Sequence, residues 1–191
     1  MLAALSALVF AHDAVMGGVA AWAPHLEWRA AEAWSEPWRA FSAALVHRDL
    51  QHLVANVAGC AVVGWFGWAA RLPVRAAWAA CAAWPLTQGL LVWAPGVTNY
   101  GGLSGVLHAA VAVAAVMLVA RGPGRERAVG AAVWAGLLMK VWLEAPWAGA
   151  VQTLPGWDFP VAVAAHATGL VSGTLVAGLW VLRQVRRHEP P

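Results

Sequence analysis

Residues 99–120 read "NYGGLSGVLHAAVAVAAVMLVA". From Gly102 to Ala120 the stretch carries no Asp, Glu, Lys or Arg. Its length is close to the ~20 apolar residues needed to cross a hydrocarbon core, which makes it a candidate spanning helix. The first turn asks for a second explanation, because Ser104 is set among Gly101, Gly102 and Gly105, with His108 one helical turn further on. Polar side chains inside a membrane are expensive to bury and are functional candidates by default.

The rest of the chain follows the same pattern. Of its 191 residues 61% are hydrophobic and 11% charged, with fourteen tryptophans, against roughly 25% charged residues in soluble domains. Apolar segments at about 2–22, 50–69, 74–93, 102–120, 127–147 and 161–182 are separated by short stretches bearing charge, Pro or Gly. The expectation is a single all-α, polytopic membrane domain over 1–191 with six transmembrane helices and no room for a separate soluble domain. The first segment ends in "AAWAP", which resembles a small-residue cleavage site, but it lacks a basic leader and has His12 and Asp13 in its middle, so it reads as a retained helix. Cys60 and Cys81 lie in apolar stretches and read as small hydrophobes. The net charge of +3 sits at the ends of apolar runs, which argues for membrane topology and against a nucleic-acid partner.

Counting basic residues by alternate connections gives eight on one side (Arg71, Arg75, Arg121, Arg125, Arg127, Arg183, Arg186, Arg187) and three on the other (Arg29, Arg39, Arg48). The positive-inside rule then puts both termini in the cytoplasm and the connections 23–49, 94–101 and 148–160 outside. In the first outer connection Trp34, Trp38, Phe41 and Leu45 recur at spacings of four, three and four. That spacing predicts an interfacial helix with Glu32, Glu36 and Arg39 pointing elsewhere and Trp22, Trp28, Trp34 and Trp38 as anchors in the lipid bilayer surface.

The intramembrane polar residues are Asp13, His52, Asn56, Ser104, His108, Lys140, Glu144 and His166. By the topology count His166, which opens the last helix in "AAHATGLVSG", shares a depth with Ser104. Gly105 and Ala109 on one helix, and Ala165, Gly169 and Gly173 on the other, form small-residue faces that allow close packing. A serine becomes a nucleophile when a base takes its proton, so Ser104 and His166 are the minimum unit for acyl transfer. His52 and Asn56, four residues apart, share a helix face near the same depth. With the Ser104 backbone N–H they are the candidate donors for an oxyanion. Gly102 and Gly105 clear space for a substrate backbone. His108 is a rival base, since helical side chains lean toward the N-terminus and thus over Ser104. Lys140 and Glu144, also four apart, read as a self-neutralising pair. His12 and Asp13 receive no role. Nothing in the pattern calls for a metal or cofactor.

Taken in order, "ALVHRDLQHLVANVAG" (44–59), "GGLSGVLHA" (101–109) and "AHATGL" (165–170) resemble the three signatures of rhomboid intramembrane serine proteases. The resemblance implies a rhomboid-like bundle, with Ser104 as nucleophile, His166 as base, and His52 and Asn56 on the oxyanion side. It also implies a bacterial inner membrane and a site opening to the periplasmic side. Many rhomboids carry tyrosine where this chain has His108, and the resemblance makes His108 the packing partner of the His166 ring. "YGGLSGVLH" and the short chain look most like the rhombosortase branch, which implies transmembrane substrates with C-terminal Gly-Gly tags. The rival readings are an inactive rhomboid-like protein that binds transmembrane segments, and a small transporter. The transporter lacks the paired interrupted helices expected of it.

Overall fold

The computed structural model describes residues 1–15, 22–121 and 124–188. Its long helices are α1 (Leu2–Val15), α4 (Leu50–Ala69), α5 (Val74–Gly89), α6 (Ser104–Val119), α7 (Arg125–Glu144) and α8 (Val163–His188). Between α1 and α4 lie the short helices α2 (Ala23–Leu26) and α3 (Arg39–Ser42) and the strand β1 (Trp28–Arg29), which pairs antiparallel with β2 (Asn99–Tyr100). Each of the six apolar segments is helical over most of its described length; residues 16–21 of the first lie outside the described residues.

The expected count of six spans is not reached by length and composition. Among the described residues, only α4 and residues 163–184 of α8 are helices long and apolar enough to cross a membrane. The helices α5 and α6 have 16 residues each, about 24 Å at 1.5 Å per residue, short of a ~30 Å hydrocarbon core. A 3-10 turn, Leu90–Trp93, extends α5. Charges at both ends of α7 exclude it.

The packing is that of a chain surrounded by lipid. On α4 the outward residues beyond Gln51 are apolar, with Val54, Val62, Trp65 and Trp68 exposed, while the buried ones include His52 and Asn56. Large apolar side chains also cover the outside of α7 and α8, among them Trp142, Leu143, Leu175 and Leu179. Water gives no driving force for such a surface. Cys81 also faces outward instead of being buried as expected; Cys60 is half-buried and both thiols are free.

The central seam is α6 against α8. A Cβ on Gly105 would lie 2.8 Å from the Ala165 carbonyl oxygen. On Gly169 it would collide with the Gly105 carbonyl, and on Gly173 with the Ala109 carbonyl. Only glycine permits backbones this close. Thr87 on α5 and Ser172 on α8, both fully buried, share a hydrogen bond of 2.6 Å that ties α5 to α8.

The first outer connection departs from expectation. Trp34, Trp38 and Phe41 are exposed, but the helix is confined to α3 with a 3-10 turn on Ala43–Leu45. Trp28 is 1% exposed and belongs to the core with Tyr100 and Leu91, so it is no interfacial anchor. Arg39 is 6% exposed and points inward. Its guanidinium donates to the carbonyls of Pro24 and Glu27, 3.0 Å each, and pairs with Glu32 and Glu36. A charge satisfied by backbone carbonyls folds the segment back on itself, which a helix running through it would forbid. Glu27, also buried, joins Arg29, Arg48 and Asn99.

Candidate active site

The polar residues gather at one end of the bundle because α4, α6 and α8 all begin there and α7 ends there. Asp49 starts α4: its side chain accepts from the His52 backbone N–H at 2.7 Å, an N-cap that sets His52 on the first turn. The loop ahead of α6 is held from the side. Gly102 donates its N–H to the Ala43 carbonyl at 2.8 Å, and a Cβ on Gly101 would press on Val46. With φ +144° and the His52 ring 2.9 Å from where its Cβ would be, Gly102 admits no side chain.

At the start of α6 Ser104 Oγ lies 3.0 Å from His166 Nε2. Its second neighbour is the buried Tyr100 hydroxyl, at 3.5 Å, which also accepts from the Gly105 N–H. Tyr100 was not among the residues singled out from sequence. His108 is engaged elsewhere. Its Nδ1 donates to the Ser104 carbonyl at 2.7 Å, and its ring stacks on His166 with centroids 4.2 Å apart and planes 11° apart.

His52 Nδ1 accepts from the Arg48 N–H at 3.3 Å, so in the neutral ring Nε2 carries the hydrogen. That nitrogen faces the Gly102 backbone, in a cavity it shares with Ser104. The Asn56 amide nitrogen is buried with no hydrogen-bond partner, a donor left over beside the same space. His47, in the connection ahead of α4, stacks edge-on against His52 at 4.8 Å. Burial holds its pKa below the ordinary imidazole value.

Two adjoining cavities meet at Ser104 and His52. One, of about 350 Å³, lies among Arg48, Asn99 and Tyr100; the other, of about 340 Å³, reaches past Asn56 to Lys140 and Glu144. The connection from α7 to α8 roofs both with Phe159 and Val161. It is tied down by Gln51, whose amide donates to the Gly156 carbonyl at 2.7 Å, and by the Trp157 and Phe159 rings, 5.9 and 5.1 Å from His52.

Sequence reasoning paired Lys140 with Glu144, and they do pair, Nζ to Oε1 at 2.8 Å. It missed that Glu144 Oε2 also lies 2.8 Å from His166 Nδ1. The available signal was that Glu144 closes α7 at the level where α8 opens. Donor atoms of His108, Glu144 and His166 fall within 4.8 Å of one another, a metal-like spacing. Parallel stacked imidazoles, however, aim their lone pairs side by side and not at a common point, and the Lys140 ammonium supplies a cation. His12 accepts from Trp22 Nε1 at 3.4 Å; the Asp13 side chain lies outside the described residues.

Comparison with curated proteins gives no match. A family model for the Rhomboid domain matches residues 35–183, a stretch that runs from ahead of α3 into α8 and takes in every polar residue of the two cavities, from Arg48 to His166. That match covers well over half of the chain, which therefore belongs to the rhomboid family of integral membrane proteins, generally serine proteases acting on transmembrane substrates within the bilayer.

Proposed function

We propose that the chain is an active intramembrane serine endopeptidase, with Ser104 as nucleophile and His166 as general base. The observation that carries the reading is the 3.0 Å hydrogen bond from Ser104 Oγ to His166 Nε2 inside a cavity with spare donors. Ser104 gives its proton to Nε2 as Oγ attacks the scissile carbonyl carbon. Negative charge then develops on the carbonyl oxygen, where His52 Nε2–H, the Asn56 amide and the Ser104 backbone N–H are the donors at hand. Collapse expels the amine, which takes the proton from His166, and water repeats the sequence on the acyl-enzyme. An inactive relative that only binds spans has no use for a hydroxyl bonded to an imidazole, and this favours the enzyme.

His108 is assigned to packing, because its Nδ1 is taken up by the Ser104 carbonyl and its ring lies flat on His166. Cytoplasmic termini and a site opening outward are the topology the eight-to-three distribution of Arg residues favours; six spans rest on the six apolar segments, and a bacterial inner membrane with a periplasmic opening on the rhomboid resemblance. The finer substrate reading is a membrane-anchored protein cut near the outer end of its helix, at a C-terminal Gly-Gly tag of the rhombosortase kind. It is supported by the likeness of "YGGLSGVLH" (100–108) to that branch.

The test is a membrane-tethered reporter ending in Gly-Gly, an apolar helix and a basic tail. Ser104→Ala and His166→Ala should each reduce cleavage to the same floor, and the double variant should fall no lower, because members of one catalytic unit are not additive. His108→Phe, which keeps a flat ring against His166, should be much milder. Cleavage by Ser104→Ala at the wild-type rate sinks the protease; equal cleavage of a reporter with bulky residues in place of the glycines sinks only the tag.

A further inference from the structure

Glu144 is the last residue of α7, the end of a helix at which the macrodipole disfavours a carboxylate. Its two oxygens account for the placement. Oε1 accepts from Lys140 Nζ at 2.8 Å, and Oε2 lies 2.8 Å from His166 Nδ1. A carboxylate only accepts, so Nδ1 carries the proton in that contact and Nε2 presents its lone pair, the one facing Ser104 Oγ. Lys140 Nζ is 3.0 Å from Nδ1 as well; both are donors, and Glu144 is the acceptor they share. The other groups around the ring do not compete for Nδ1: His108 stacks on its face, and Ser104 sits at Nε2.

We propose that Glu144 is a positioning residue for the base, extending the pair to a Ser104–His166–Glu144 chain in which Lys140 fixes the carboxylate. The proposal rests on the protease reading above. Glu144 fixes the tautomer and the rotation of the ring, and it balances the imidazolium that forms when Ser104 gives up its proton.

Glu144→Gln is nearly isosteric and reverses the logic. The Lys140 ammonium turns the amide oxygen toward itself and leaves the NH₂ facing Nδ1, which must then accept. The ring proton moves to Nε2, and the lone pair facing Ser104 is lost. Both kcat on the reporter and the rate at which a fluorophosphonate labels Ser104 should fall by about 10- to 1000-fold, below the ~10⁴ seen when the acid of a soluble triad becomes its amide. KM should stay within about twofold, as for an interaction that matters in the transition state. Adding Lys140→Met frees the amide to turn over and should restore about tenfold of the loss. In a His166→Ala background Glu144→Gln should change the residual rate by less than about twofold, because its effect passes through that ring.

Wild-type kcat in Glu144→Gln overturns the proposal. So does a loss that persists in the His166→Ala background or is not restored by Lys140→Met, which is the behaviour of a merely structural residue. Rates are taken per folded protein, with melting in detergent as the measure. If the amide variant does not fold, Glu144→Asp withdraws the carboxylate from Nδ1 by one carbon–carbon bond and keeps the charge. It should lose kcat at an unchanged melting temperature, and full activity overturns the proposal. Ser104→Ala separates the two readings: a dead Ser104→Ala beside a fully active Glu144→Gln removes the positioning role alone.

Discussion

On the proposed protease reading, Gly169→Ala should remove most of the activity through one methyl group that touches no substrate. Built on the present backbone, that Cβ lies 3.0 Å from the Gly105 carbonyl carbon and 3.0 Å from His108 Cβ, and closer still to the Gly105 oxygen. The oxygen sets the shift: C···O contacts settle at ~3.3–3.6 Å, so α6 and α8 must part by more than about 1 Å. Gly169 lies three residues beyond His166, and Gly105 one beyond Ser104, so the gap opens at the dyad itself and stretches its 3.0 Å hydrogen bond. A displacement of about 1 Å at reacting atoms costs on the order of 100-fold in rate. Overpacking destabilises by ~1–3 kcal/mol, offset in part by the ~0.5–1 kcal/mol that alanine gains over glycine within a helix. Turnover in proteoliposomes should therefore drop about 100-fold with only a modest loss in melting temperature. Gly178→Ala, further along the same helix with nothing within 4 Å of its Cβ, should keep full activity and gain a little stability. Wild-type turnover in Gly169→Ala, or an equal loss in Gly178→Ala, refutes the reasoning that seam spacing sets the site.

Two further outcomes follow from the same geometry. Asn56→Ala removes a buried donor that has no partner in the resting protein, so stability should barely change while kcat falls about 10- to 1000-fold; a drop in melting temperature with normal kcat per folded protein assigns Asn56 to packing instead. Reporter tags at either terminus should read cytoplasm and a tag in 148–160 should read the outer side, from the distribution of Arg residues; a cytoplasmic signal from 148–160 places the cavity on the other face of the membrane.

What could be read from sequence was whatever depended on local pattern. The helix at 50–69 begins and ends where expected because Asp49 caps it and the apolar run is unbroken. Sequence pairs Ser104 with His166 because the topology count sets them at one depth and small residues four apart on α6 and α8 allow the two helices to pack closely. The first connection was misread because its fold depends on Arg39 finding the carbonyls of Pro24 and Glu27, contacts that leave no periodicity. Trp28 looked like its neighbouring tryptophans and differs only in pairing with Tyr100. The link from Glu144 to His166 depends on the rotation of α7 about its axis, and an i,i+4 pair with Lys140 fits any rotation.

The clamp on the residues ahead of α6 changes what counts as the environment of Ser104. Tyr100 is paired to Trp28, Gly102 hangs from the Ala43 carbonyl, and Gly101 rests on Val46. The loop that carries Ser104 is thus bolted to a splint whose outer surface is Trp34, Trp38 and Phe41. Aromatic rings of this kind settle at the level of the lipid headgroups. A change in headgroup packing or bilayer thickness that tilts the splint reaches Ser104 before it displaces any long helix. On the proposed protease reading, lipid composition should therefore act as a kinetic variable in its own right: turnover of one substrate at one pH should differ between thin and thick membranes.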